Sequence, residues 1–323
     1  MFGSNAVANQ LTLHLFYMFA TIPLVEFVAD LSFKVGDANA PYLSRFRSLS
    51  ERLPSVIISA VLEEGTPEGR GKLIAFFVEV AWRLKAINSF HGLMLVVGAL
   101  QSNAIHRLKK SWEVAYGRSF AANELGGDTN SSDADLSSLD NASSGLGKER
   151  DSEGLEDIDD GLNVKDAYAE LLTFCGIGGR KLHQECHRLF APPDDETGES
   201  RRITFPAIPG GGGGMTMPMM PFLNSSLALL IRLNELSDTI EVDGNAHFTN
   251  EEKFLNLSKM RRVASIVALL RLCQLTPFEI EPNVEIEYYL LRDYRYMDSE
   301  SQYERSVELE PVIRCGRRMT MRI

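Results

Sequence analysis

Four soft potential ligands fall close together in this sequence, Cys175, His183, Cys186 and His187. His183 and Cys186 have i, i+3 helical spacing, but Cys175 and His187 complete no standard zinc pattern, so ordinary polar and buried roles are the better reading and no metal is assigned. Asp128, Asn130 and Ser132 begin a calcium-loop pattern. It fails at the sixth position, Asp133 where Gly is needed, and at the twelfth, Leu139 where a bidentate Glu is needed. Gly176, Gly178, Gly179 and the run Gly210 to Gly214 lack the Lys-Ser/Thr pair and the preceding strand of a phosphate cradle, and read as flexible linker. Six histidines without spaced Ser/Asp or Cys partners single out no nucleophilic triad. The residue chemistry points to binding rather than bond breaking, with no cofactor implied.

Composition narrows the partners. The chain has 323 residues, 44% of them hydrophobic, enough for one large core or two ordinary ones. Its formal charge is −11, yet residues 121–160 alone hold twelve Asp/Glu against Lys148 and Arg150. The remainder is nearly neutral, without the concentrated basic surface that nucleic acid requires. Four scattered cysteines suit a reducing compartment. The early apolar stretch LTLHLFYMFATIPLVEFV contains His14, Pro23 and Glu26 and lacks a basic leader, which reads against a signal peptide or membrane span. A cytoplasmic protein is expected.

Helical periodicity dominates the elements that must carry any site. Leu11, Leu15, Met18 and Phe19 recur at helical spacing until Pro23; PYLSRFRSLSERLPSVIISAVL repeats the signal with an interruption at Pro54. Leu73, Phe76, Phe77, Val80, Ala81 and Leu84 form a broad apolar stripe. Residues 117–161, rich in Ser, Gly, Asp and Asn, cannot bury enough apolar surface to repay ordering, and are expected to be a disordered insertion. A second, irregular insertion is expected over 175–217. Helical patterns return in PFLNSSLALLIRLNELSD, EEKFLNLSKMRRVASIVALLRLC and VEIEYYLLRDY.

One segment is not generic. FHGLMLVVGALQSNAIHRLKKSWE, an apolar run closed by a cluster of positive charge, resembles the central box of the catalytic domain of Ras guanine-nucleotide exchange factors, N-F-N-G-L-M-x-I-V-x-x-L-N-S-x-A-I-H-R-L-K-K-T-W. ANQLTLHLFYMFATIPLVEF and LSRFRSLSERL resemble earlier boxes, although Leu53 stands where the usual Trp would be. PFL at 221–223, Asp243-Gly244-Asn245, FLNLSKMRRVASIV at 254–267 and QYERSVELEP near the end follow in the family order. The resemblance spans residues 8–311, apart from the two insertions and a short tail at 312–323.

What the resemblance implies is an all-α fold, a helical bowl with a protruding helical hairpin, that binds a Ras-family small GTPase (Ras, Rap or Ral-like) and promotes GDP release without covalent chemistry. The matched pocket residues are Leu43, Met94 and Phe222, with Gln101 and His106 as polar contacts. At the hairpin the match gives Asp243 and, counted back, Thr239 and Ser237. Between Pro221 and Gly244 the chain has about eight residues more than the family spacing: either the first hairpin helix is two turns longer, or the register is shifted and Asp238 replaces Ser237. The alternative function is a GTPase-binding scaffold whose altered hairpin no longer dislodges nucleotide. The sequence opens at the catalytic box, so the expectation is a domain that stands alone, leans on another chain for the support that an N-terminal module gives the hairpin in the family, or is a fragment. Membrane recruitment, to the inner surface, would fall to other factors.

Overall fold

The computed structural model describes residues 2–28, 39–120, 161–190, 217–241, 253–291 and 296–311. Among them eleven α-helices and two short antiparallel ribbons occur, so the all-α class expected from the sequence is borne out. Helix α1 (Ser4–Ala20) buries Leu11, Leu15, Phe16 and Phe19 and stops ahead of Pro23, which opens a 3₁₀ turn at Leu24–Phe27. Helix α2 (Pro41–Glu63) starts on a proline whose missing N–H is no loss in a first turn.

The interruption expected at Pro54 does not occur, and α2 runs straight through it. Pro54 removes one N–H from the ladder. On either side of it, Phe46, Leu49 and Leu53, then Ile57, Ile58 and Val61, are buried in the same core. Tertiary packing of that face outweighs the local defect, as it commonly does in protein helices.

Helix α3 (Pro67–Ala86) is the central strut, packed on α1, on α4 (Phe90–Leu100), on α6 (Lys109–Tyr116) and on α7 (Val164–Phe190). Thr66 caps it by accepting the Gly69 N–H at 3.1 Å; Glu68 in its first turn and Arg83 and Lys85 in its last complement the helix dipole. Gly71 allows the close crossing with α6, since a Cβ there would sit 2.6 Å from the Val114 side chain and 2.8 Å from the Ser111 carbonyl oxygen. The one-turn α5 (Asn103–His106) joins α4 to α6, with the Ser102 hydroxyl as its cap.

Strands β1 (Ser119–Phe120) and β2 (Leu162–Asn163) pair antiparallel. The acidic segment therefore leaves and re-enters the domain at one place, an arrangement that lets a long insertion be added at small closure cost. Residues 121–160, on which the reading of a disordered insertion chiefly falls, lie outside the described residues. The second insertion starts later than its sequence suggests: α7 carries on through Cys175 to Phe190. Leu171, Cys175 and Leu182 fall on one helical face and are all buried, which holds the helix through its glycines. Residues 191–216, including Gly210 to Gly214, are outside the described residues.

Helix α8 (Leu223–Asn234) then leads through β3 (Thr239–Glu241) and β4 (Lys253–Leu255) into α9 (Leu257–Leu275), so that the hairpin of α8 and α9 carries a β-ribbon between its helices. Helices α10 (Val284–Leu291) and α11 (Ser299–Leu309) return to the body, against α1 and against α2 and α5 respectively.

Candidate functional site

The pocket candidates come from three separate elements. Leu43 lies in the first turn of α2, Met94 in α4, and Phe222 at the N-cap of α8. Leu43 is buried in the core at 5% exposure, whereas Met94 and Phe222 are half-buried against that core.

Leu43 and Phe222 are each held by a distinct device. Ala40 gives α2 no side-chain cap; instead the buried Glu26 carboxylate, from the 3₁₀ turn, accepts the Leu43 N–H at 2.8 Å. An acidic group there answers an orphan donor and the positive end of the helix dipole together. Phe222 is fixed through the residues before it. Asn88 adopts φ 59°, a left-handed conformation that Asn tolerates better than most residues, and turns the chain so that Ser89 forms a parallel bridge with Met220. The Met220 N–H donates to the Asn88 carbonyl at 3.0 Å, and the Phe90 N–H to the Met220 carbonyl at 2.9 Å. Below the pocket, His91 lies between Phe46 and Phe222, with ring centroids 4.8 Å and 5.8 Å away. Phe222 thus packs directly on this aromatic row, whose other members lie one turn from Leu43 (Phe46) and from Met94 (His91) in their helices.

Gln101 and His106 are both exposed, at the C-cap of α4 and in α5, on the α4–α5 side of the domain. The basic cluster that follows them has a structural role. Arg107 donates from Nη1 to the Ser306 carbonyl and hydroxyl at 2.5 Å and 3.0 Å and from Nη2 to the Glu310 carbonyl at 2.9 Å, while its guanidinium lies over Tyr303. The Glu310 carboxylate accepts from the Lys110 and Ser111 amides, the Ser111 hydroxyl and the buried Arg70. Desolvation pushes the Glu310 carboxyl upward, but those hydrogen bonds outweigh it and hold it below the usual range. Arg107 and the first turn of α6 therefore clasp α11, while the side chains of Lys109 and Lys110 remain exposed.

At the hairpin, Asp238 is exposed but engaged by Lys259, whose Nζ lies 2.5 Å from its carboxylate and 2.6 Å from the Leu236 carbonyl. The Asn256 N–H donates to the Asp238 carbonyl at 2.7 Å, and its side chain caps α9 at Lys259 N. Asn256 also donates to the Ser237 carbonyl, and the Ser237 hydroxyl accepts the Thr239 N–H at 3.3 Å. Thr239 opens β3, opposite Leu255. Thr239 and Asp238 thus lie together at the base of the ribbon, while Asp243 lies outside the described residues. The sequence reading missed Glu26, His91, Lys259 and Asn256. Glu26 was visible only as a single acidic residue within an apolar box and Lys259 only as one of three basic residues in FLNLSKMRRVASIV, and His91 carried no pairing signal with Ser50.

The described elements define an all-helical domain in which the Phe46, His91 and Phe222 rings pack together and a two-helix hairpin, α8 and α9, carries a β-ribbon. The RasGEF domain family model matches residues 6–261, and the chain belongs to that family. The chain is 22% identical over 306 residues to Ras-specific guanine nucleotide-releasing factor 2 of Danio rerio, covering 94% of this chain and 18% of that relative. It is 22% identical over 307 residues to Ras-specific guanine nucleotide-releasing factor 1 of Rattus norvegicus, with the same shares. A Rap guanine nucleotide exchange factor of Caenorhabditis elegans is 30% identical over 111 residues, 34% of this chain and 8% of the relative. The chain thus spans less than a fifth of the length of the Ras-specific releasing factors it matches.

Proposed function

We propose that this chain is a guanine-nucleotide exchange factor: it binds a Ras-family small GTPase and promotes release of GDP so that GTP can load. The observation that carries the reading is family membership across residues 6–261; the packing of Phe46 from α2 and His91 from α4 with Phe222, one turn from Leu43 and Met94, supports it. In this reading the three apolar groups grip the GTPase, and Gln101 and His106 supply polar contacts at the exposed rim. The segment between α8 and α9, with Asp238, Thr239 and Asp243, acts on the nucleotide site. An acidic Asp243 competes there with a nucleotide phosphate.

No covalent bond need change. An exchanger that binds the nucleotide-free GTPase more tightly than the loaded form weakens nucleotide binding by the same factor. A ten-thousand-fold effect corresponds to about 5.5 kcal/mol of differential contact. Among the described residues no helix is long and apolar enough to cross a membrane; a cytoplasmic location with recruitment to the inner membrane surface by other factors fits the exchange reading.

Fluorescent-GDP release from Ras, Rap and Ral GTPases tests the proposal. Acceleration of at least one is expected. Phe222→Ala weakens binding, and Asp243→Ala impairs release more than binding. Tight complex formation with no acceleration of any GTPase would overturn exchange in favour of a silent GTPase-binding scaffold.

A further inference from the structure

His91 is the least expected residue beneath the pocket. It is fully buried and imidazole-bearing, on the inner face of an otherwise apolar helix. Its Nε2 lies 2.8 Å from the Ser50 hydroxyl oxygen, and that hydroxyl also lies 2.9 Å from the Phe46 carbonyl oxygen. Ser50 has one proton to give, and the Phe46 carbonyl can only accept. The arrangement that satisfies both contacts has Ser50 donating to Phe46 and His91 Nε2–H donating to Ser50. That tautomer leaves Nδ1 a bare acceptor, and Nδ1 is without a hydrogen-bond partner. Protonation would add a proton and a charge to a buried nitrogen with nothing to receive them; burial accordingly lowers the pKa to about 3, and the ring is neutral at physiological pH.

A phenyl ring would fill this space without an orphaned nitrogen. The imidazole adds a directed bond to α2 that fixes the plane of a ring wedged between Phe46 and Phe222, at 46° and 35° to them. The His91 backbone N–H also points to the Met220 carbonyl at 3.3 Å, two residues before Phe222. One residue thus joins α2, α4 and the segment that delivers Phe222.

We propose that His91 is a positioning residue for the GTPase pocket: its neutral ring, oriented by Ser50, holds the Phe222 side chain in a single placement. The proposal rests on the reading of Leu43, Met94 and Phe222 as the GTPase contact, and acts on affinity through Phe222.

Two variants separate orientation from packing. His91→Phe keeps a ring and removes the bond to Ser50; Ser50→Ala removes the acceptor and keeps the imidazole. Phe222 is replaced by 4-fluorophenylalanine, and its fluorine resonance is recorded in the free protein. A single line is expected from the parental protein, and a broadened or divided one from both variants. In fluorescent-GDP release, the half-saturating GTPase concentration rises about three- to tenfold for His91→Phe while the maximal rate stays within twofold. Placed on Phe222→Ala, His91→Phe adds nothing. An unchanged fluorine line overturns the proposal, as does an affinity loss that persists in full without Phe222. If the parental protein releases no GDP while the line still divides on substitution, the exchange reading falls and the positioning of Phe222 by His91 stands.

Discussion

The clasp on α11 gives a prediction whose size follows from its hydrogen bonds. Glu310→Ala removes the carboxylate partner of the Arg70 guanidinium, which is 1% exposed, and the acceptor for the Lys110 and Ser111 amides at the otherwise uncapped start of α6 and for the Ser111 hydroxyl. Removing one partner of a buried ion pair costs roughly 3–5 kcal/mol. Arg70 keeps its contacts to Ser111 Oγ and to the Glu64 and Gly65 carbonyls, which places the loss near the lower end, about 3 kcal/mol. That is a large part of the roughly 5–15 kcal/mol that stabilises a typical domain. The assay is urea unfolding followed by circular dichroism. With a slope of about 3 kcal/mol per molar, the midpoint falls by about 1 M at unchanged slope. The pH dependence has a fixed sign. Because the folded-state pKa of Glu310 is lowered, its contribution is present above the unfolded carboxylate pKa, about 4.3, and is lost as pH falls through the folded value. The gap between parent and Glu310→Ala therefore closes on acidification below about pH 4. A loss under about 1 kcal/mol at neutral pH, or a gap that widens in acid, would refute the reasoning.

Two further predictions concern the devices that hold the site. Glu26→Ala leaves the Leu43 N–H without its acceptor and costs about 1–2 kcal/mol by the usual value of a lost cap, read as a lowered urea midpoint; it also raises the half-saturating GTPase concentration because Leu43 loses its anchor. Lys259→Met removes the contacts to Asp238 and to the Asn234 and Leu236 carbonyls. The maximal GDP-release rate is expected to fall at least fivefold with affinity for the GTPase within twofold, since the ribbon base loosens while the pocket is untouched; an unchanged maximal rate excludes a role for the ribbon.

Sequence alone determined what depends on local pattern. Apolar residues recurring at helical spacing fixed the all-helical class, and the boxes from ANQLTLHLFYMFATIPLVEF to FLNLSKMRRVASIV carried the family, because a run of side chains with a set order is read without knowing where it folds. The start of α2 and the apolar character of Leu43, Met94 and Phe222 were legible in the same way. Local pattern failed at Pro54 and at Cys175, where burial on both sides sustains a helix that propensity would break.

Tertiary structure decided everything that joins residues distant in the chain. Glu26 caps a helix across 17 positions, Ser50 meets His91 across 41, and Arg107 reaches Ser306 across 199. Nothing in the sequence says what the charge cluster after His106 meets; in the fold Arg107 and the α6 amides turn inward to hold α11. Hydrogen bonds and buried charges act over about 3 Å between groups that only the fold brings together, so no periodicity along the chain can announce them.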